Sequence, residues 1–394
     1  LSQLVLNWKV EKDGEIIDRG EIEELDVAPQ ESITVTLPYE LPASSDGRYF
    51  LIVYYTQNID TEWAEKGYEV AFTQFELPTG KVNKTLLSKS AMPSIHVEKT
   101  DKEIVIAGAD FRYVFDLFHG SFSCMEYNGV PMISSMPKFN VWRAPTDNDR
   151  NIVHRWREQG YDRLGSKIYS IEVSSQDDKH ITICSEFSMS SFIKKPALRG
   201  KAFWTVYGSG DVLLNARVQV REDVPFLPRF GLQLVMPAGN ELVEYFGYGP
   251  HESYIDKHRS TWKSRFESTV DSMHENYLMP QENGSHYSTE WAVVTNKLGM
   301  GLLFVGMDDF SFNASHYTPE DLTKAMHPHE LKRRDETIVH IDYMNSGVGS
   351  NSCGPELLPQ YRLSQKEINF RVRIKPVFKD DICILDEVNT QIQE

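Results

Sequence analysis

Two glutamates sit where acid–base chemistry would want them, outside regular structure and close to aromatic side chains. Glu252 follows Gly249-Pro250-His251, and Glu282 lies within Pro280-Gln281-Glu282-Asn283-Gly284. Glycoside hydrolysis needs two carboxyl groups roughly 5–9 Å apart, a separation that chain position alone does not fix. The competing reading is that both cap turns or pair with Lys257 and Arg259, and on residue types alone it is the better supported. A second cluster is Trp142-Arg143-Ala144-Pro145-Thr146-Asp147-Asn148-Asp149. Asp147, Asn148 and Asp149 beside an Arg and a Trp make either a self-bonded turn or a polar rim for a hydroxyl-rich ligand, and the turn is the simpler reading.

Other patterns carry less chemistry. His327 and His329 flank Pro328 and could ligate a metal only with a third ligand from elsewhere, so a loop role is expected for them. Gly247-Tyr248-Gly249 and Gly347-Val348-Gly349 lack the full glycine fingerprint and the strand–helix context of a nucleotide loop. There is no Gly-x-Ser-x-Gly elbow for a serine hydrolase of that design. Cys124, Cys184, Cys353 and Cys383 stand far apart, without the spacing of a metal knuckle or a disulfide scaffold, which favours a reducing compartment and leaves the periplasm open. With 41 Lys+Arg against 57 Asp+Glu, the formal charge is −16 over 394 residues. Beyond Lys332-Arg333-Arg334 there is no basic run to displace counterions, which argues against nucleic acid as a partner. No apolar run approaches the roughly 18 residues of a helical membrane span, so no membrane-embedded reading is supported.

The elements that must position these residues read as all-β. Residues 1–77 carry short alternating segments at Val5–Val10, Glu15–Ile17, Ser32–Leu37 and Arg48–Tyr54, with Asp13-Gly14 as a hairpin turn. That is the pattern of a partial immunoglobulin-like β-sandwich. Residues 78–93 are polar and Lys/Ser-rich and read as a linker. From 94 to 375 the signal is again many strands, over a length that suits one large antiparallel sandwich, followed by a tail at 376–394. Hairpins are expected at Asn128-Gly129 and at Gly208-Ser209-Gly210-Asp211. Short helices are expected from Ile152 through Trp156 to Gly160, and at Thr318-Pro319-Glu320-Asp321, where Thr caps and Pro takes the first helical position. The chain starts at Leu1 without Met and enters a strand pattern at once, the mark of a piece of a longer protein.

Four of these segments, in order, carry a family resemblance: Trp-Arg-Ala-Pro-Thr-Asp-Asn-Asp at 142–149, Tyr-Gly-Pro-His-Glu-Ser-Tyr at 248–254, Pro-Gln-Glu-Asn-Gly at 280–284, and Arg334-Asp335-Glu336-Thr337 followed by Gly347-Val348-Gly349-Ser350. Together they resemble the C-terminal region of lactase-type β-galactosidases of glycoside hydrolase family 2. The stretch 63–75 is similar to the end of the immunoglobulin-like domain that precedes that region.

The resemblance implies a large supersandwich of the galactose mutarotase type after the partial immunoglobulin-like domain. It places the nucleophile and acid/base glutamates, together with the magnesium and sodium ions, on a TIM barrel outside this chain. No catalytic residue, cofactor or metal is therefore expected in the chain itself. The implied reaction of the parent is retaining hydrolysis of terminal β-D-galactosides. The implied partners are the barrel portion, a galactoside at the rim, and further copies of the parent. Asp147, Asn148 and Asp149 would line one rim of the pocket, and Cys353 stands where the family carries a Trp platform. Arg143, Glu252, Glu282 and Asn283 would be structural. Two other readings are a separately encoded carbohydrate-binding or subunit-assembly module, and a mutarotase-like enzyme using His251 and Glu282.

Overall fold

The computed structural model describes residues 1–41, 47–78, 84–351 and 354–393. It is an all-β protein that divides into two compact units, one of residues 1–85 with 262–265, the other of residues 86–261 with 266–394.

The first unit is one antiparallel sheet of four strands in the order β2-β1-β3-β4: β1 Leu4–Lys12, β2 Glu15–Ile22, β3 Tyr49–Gln57 and β4 Glu69–Glu76. The first hairpin turns at Asp13-Gly14, both at positive φ, as the two-residue loop between Lys12 and Glu15 requires. Leu6, Trp8, Val10, Tyr49 and Leu51 form the buried face. The alternation at Ser32–Leu37 does not become a strand. Leu25, Leu37 and Tyr39 instead cover the core as irregular chain. Strand propensity reports a fit to a pleated surface, and without a neighbouring edge it makes no ladder. Among the described residues this unit therefore has a single sheet, one face of which is covered by irregular chain. Residues 262–265 join it from far along the chain. Gln74 bonds the backbone of Lys263 in both directions, at 2.7 and 2.8 Å, and Ser264 Oγ donates to the buried Glu11 at 2.6 Å.

The second unit stacks a five-stranded meander, from His96–Lys99 to Val130–Pro131, on a curled sheet of twelve strands. Both expected hairpins form, with Asn128-Gly129 between paired Tyr127 and Val130, and Gly208–Asp211 between paired Val206 and Val212. The sixteen-residue strand Met300–Ser315 sets the curl. Its first half pairs with Glu367–Phe378 and its second half with Thr337–Asn345. Between the sheets, Phe122 meets Trp204 edge-on at 5.4 Å, and the Tyr113 hydroxyl donates to the Gly210 carbonyl at 2.7 Å.

Helix α1 (Val153–Gln159) buries Trp156 completely and ends at Gly160, whose φ of 79° closes it in the left-handed form. Helix α2 (Pro319–Lys324) starts at Thr318, whose hydroxyl accepts the Asp321 N–H. The expected linker and tail differ from expectation, since Thr85–Ser88 and Thr390–Gln393 pair as a two-stranded ladder. Each is only four residues long, too short to carry a legible period alone, and the pairing is what makes them strands.

Candidate functional site

The motif segments at 142–149, 280–284 and 347–350 meet in the second unit around two buried arginines, while Arg334 lies apart, paired with Asp321. Arg143 is fully buried, with its guanidinium over the Trp156 ring at 5.5 Å. It donates to both oxygens of Asp149, at 2.8 and 3.1 Å, to Asn345 Oδ1 at 2.8 Å, and to the carbonyls of Ser346 and Gly347. One side chain thus satisfies acceptors on two loops some 200 residues apart, in the forked geometry only Arg offers.

Arg229, equally buried, donates to Asp342 and, at 3.0 Å, to Glu282 Oε2. Glu282 also accepts from Asn345 Nδ2 at 3.3 Å, so Asn345 joins the two arginine clusters. Burial pushes the Glu282 carboxyl up, while Arg229 and Arg143 pull it down. For Arg229, burial opposes the charge, but Asp342 and Glu282 outweigh it and the guanidinium is held protonated.

The turn at Asp147–Arg150 is fixed from inside by Asp149, whose carboxylate also accepts the Thr146 N–H at 3.0 Å. Asp149 is only 5% exposed and faces Arg143, not the surface. Its two neighbours do reach the surface. Asp147 is exposed and is held through its N–H by Gln281 Oε1 at 3.1 Å, while half-buried Asn148 donates to the Val348 carbonyl. Facing them, Asp256 accepts the N–H groups of Val348 and Gly349 at 2.9 and 2.8 Å. A Cβ at Gly347 would lie 2.5 Å from that carboxylate, so the approach requires glycine there. Cys353 lies outside the described residues.

The remaining motif residues hold this frame. Glu252 accepts from Lys257, from the Tyr277 hydroxyl, and from the Gly284 N–H at 2.8 Å. Asn283 donates to the Gln281 carbonyl at 2.9 Å and accepts the Glu275 N–H at 3.0 Å. Glu252 and Glu282 are thus both buried, and each is engaged by a cation, Lys257 and Arg229 respectively. His251 is exposed while Glu282 is shut in against Arg229, so they do not form the pair a mutarotase-like reaction would need. Sequence reading missed Arg229, Asp342, Asn345 and Asp256. A signal existed for Asp342: with His340, it interrupts the otherwise largely apolar run Ile338–Met344 of a mostly buried strand.

The segment 248–254 is anchored by His286, whose Nδ1–H donates to the Tyr248 carbonyl at 3.0 Å and whose ring lies 4.2 Å from that of Tyr245. Burial lowers its pKa to about 4, against the opposing pull of the Tyr248 carbonyl. The folded state resists a proton that the unfolded chain accepts near 6.5. The stability due to neutral His286 is therefore complete above pH 6.5 and lost as pH falls toward 4, about 3 kcal/mol in all. Urea unfolding from pH 7 to 4.5 is expected to show wild type losing its advantage over His286→Gln across this window. Parallel profiles would remove His286 as a source of acid sensitivity.

Comparison with known proteins accords with this frame. The family described as β-galactosidase small chain matches residues 107–374, and β-galactosidase domain 4 matches residues 1–78. The β-galactosidase of Actinobacillus pleuropneumoniae is 34% identical over 96% of this chain and 37% of its own length. That of Staphylococcus xylosus is 36% identical over 71% of this chain and 28% of its own. The chain therefore spans about a third of the length of the relatives it matches. Among solved structures, galactose 1-epimerase from Lactobacillus acidophilus aligns over 72% of the chain at 10% identity, with a TM-score of 0.38. With the small-chain match covering the whole arginine-centred frame, the chain belongs to the β-galactosidase small-chain family.

Proposed function

We propose that this chain is the C-terminal, non-catalytic portion of a family 2 β-galactosidase, forming one rim of the pocket in which a terminal β-D-galactoside is hydrolysed with retention. The observation that carries this reading is the disposition of polar groups around Arg143. Asp149 and Glu282, the carboxylates that could have reacted, are spent on the frame, whereas Asp147 and Asn148 are held at the surface by a buried support. A rim that contacts a sugar needs that division, because hydroxyl recognition requires fixed polar groups and their fixity must come from beneath. Cys353 would stand at the position of the family's aromatic platform. A thiol there offers little stacking area, so sugar positioning would fall more heavily on Asp147 and Asn148.

The nucleophile and acid/base glutamates belong, on this reading, to the barrel portion that the relatives carry beyond this span. Magnesium and sodium are placed with them. The buried carboxylates Asp149, Glu252, Glu282 and Asp342 are each engaged by Arg or Lys and do not fit a hard cation that wants several free oxygens. The barrel would pack against this portion, and the parent would assemble as a homo-oligomer.

Assay with a nitrophenyl β-galactoside tests the proposal. No turnover is expected from this chain alone, and turnover is expected when the barrel portion of a parent enzyme is added. Activity from the chain alone that survives repurification would overturn it.

A further inference from the structure

Between α2 and the strand Thr337–Asn345 lies a tight turn, Pro328–Glu330, which serves no part of the arginine-centred frame. His327 caps it in extended conformation, Pro328 takes its first position, and the Glu330 N–H closes on the His327 carbonyl at 3.0 Å. The turn brings residues 327, 329 and 330 to one side. The His327 and His329 rings stack at 5.4 Å with 20° between their planes, and His327 Nδ1 lies 3.2 Å from Glu330 Oε1. The third ligand that two histidines alone would lack is thus supplied by the next residue. One ligand atom from each of the three lies within 4.8 Å of the others.

We propose that His327, His329 and Glu330 form a surface binding site for a borderline divalent transition metal of the zinc type. Two imidazoles and one carboxylate are the donors such an ion prefers, whereas magnesium and calcium take oxygen. The spacing suits it. Two adjacent ligands on a tetrahedral ion with bonds of about 2.0–2.1 Å stand about 3.3 Å apart, close to the 3.2 Å between His327 Nδ1 and Glu330 Oε1. The metal takes the place of the proton shared there, and His329 closes the third position by a rotation that costs little for an exposed side chain. Water completes the fourth. Glu330 is oriented for the role, since the Met326 N–H donates to its other oxygen at 2.7 Å. Because the ligands bind deprotonated, uptake releases protons and weakens as pH falls.

The test is isothermal titration of the purified chain with zinc chloride, with cobalt(II) chloride as a spectroscopic probe. One ion per chain is expected, with micromolar affinity. His327→Asn and His329→Asn should each weaken it at least tenfold, and Glu330→Gln several-fold. All three side chains are exposed, so unchanged circular dichroism should accompany each loss. Cobalt should give the intense visible bands of a tetrahedral or five-coordinate ion in the wild type, and these bands should be lost in both histidine variants. Equal binding by wild type and both variants, or pale octahedral cobalt throughout, would overturn the proposal.

Discussion

Arg229→Met is expected to destabilise the larger unit by about 3–5 kcal/mol at pH 7, the usual cost of leaving buried carboxylates without their cation. Asp342 and Glu282 are both buried, and burial already pushes their carboxyls up while Arg229 pulls them down. With Arg229 removed, only the upward push remains. Both groups then hold protons in the folded state at pH values where the unfolded chain has released them, so the defect is small in acid and grows as pH rises above about 4. Urea unfolding at pH 5 and pH 7 should therefore give a larger loss at pH 7. Adding Asp342→Asn and Glu282→Gln should recover more than half of it, because two neutral amides remove the uncompensated charge. Arg229→Lys, which keeps the charge but not the fork, should fall in between. A loss below about 1 kcal/mol for Arg229→Met, or no recovery in the triple variant, would mean that the cluster is hydrated and carries little of the fold's stability.

What the sequence made legible was local. Asp13-Gly14, Asn128-Gly129 and Gly208–Asp211 were readable as hairpins because a two-residue or four-residue turn carries its own backbone demand. The Thr318-Pro319 start of α2 and the Gly160 end of α1 were readable for the same reason. Ser32–Leu37 shows the limit of that logic, since an alternating pattern states which face would be buried but not whether an edge is available. Glu282 shows another. Its turn-rich surroundings were evident, yet its partner Arg229 stands 53 residues earlier, at the start of the strand Arg229–Met236, beyond the neighbouring Lys257 and Arg259 that sequence suggested. Asp149 shows a related limit. In a run of three polar turn residues nothing local distinguishes the one that faces a buried Arg143 from the two that face solvent. Residues 262–265 fall within the later domain by chain order, whereas the bonds of Gln74 and Glu11 place them with the first sheet.

Arg143 separates two meanings of a structural residue, one that merely fills the core and one that sets where the surface groups stand. Arg143→Met keeps much of the side-chain volume and its packing on Trp156, but it strands the Asp149 carboxylate, Asn345 Oδ1 and two backbone carbonyls. Breaking one partner of a buried ion pair costs about 3–5 kcal/mol, so a loss of that size is expected in urea unfolding. The decisive readout is local. Asp149 also orders the Thr146 N–H, and Asp256 orders the N–H groups of Val348 and Gly349. If Arg143 ties the two loops into one body, amide exchange at Thr146 and Asp149 should rise together with exchange at Val348 and Gly349, and by more than at the strand Arg229–Met236. Asn148→Ala, which removes only the outer stitch to the Val348 carbonyl, should cost about 1 kcal/mol and leave Asp149 protected. An Arg143→Met/Asp149→Asn double-mutant cycle should return a coupling of about 1–3 kcal/mol. Were exchange to rise uniformly over the unit with no coupling in the cycle, Arg143 would be a packing residue. The positions of Asp147 and Asn148 would then depend on their own turn and on Gln281.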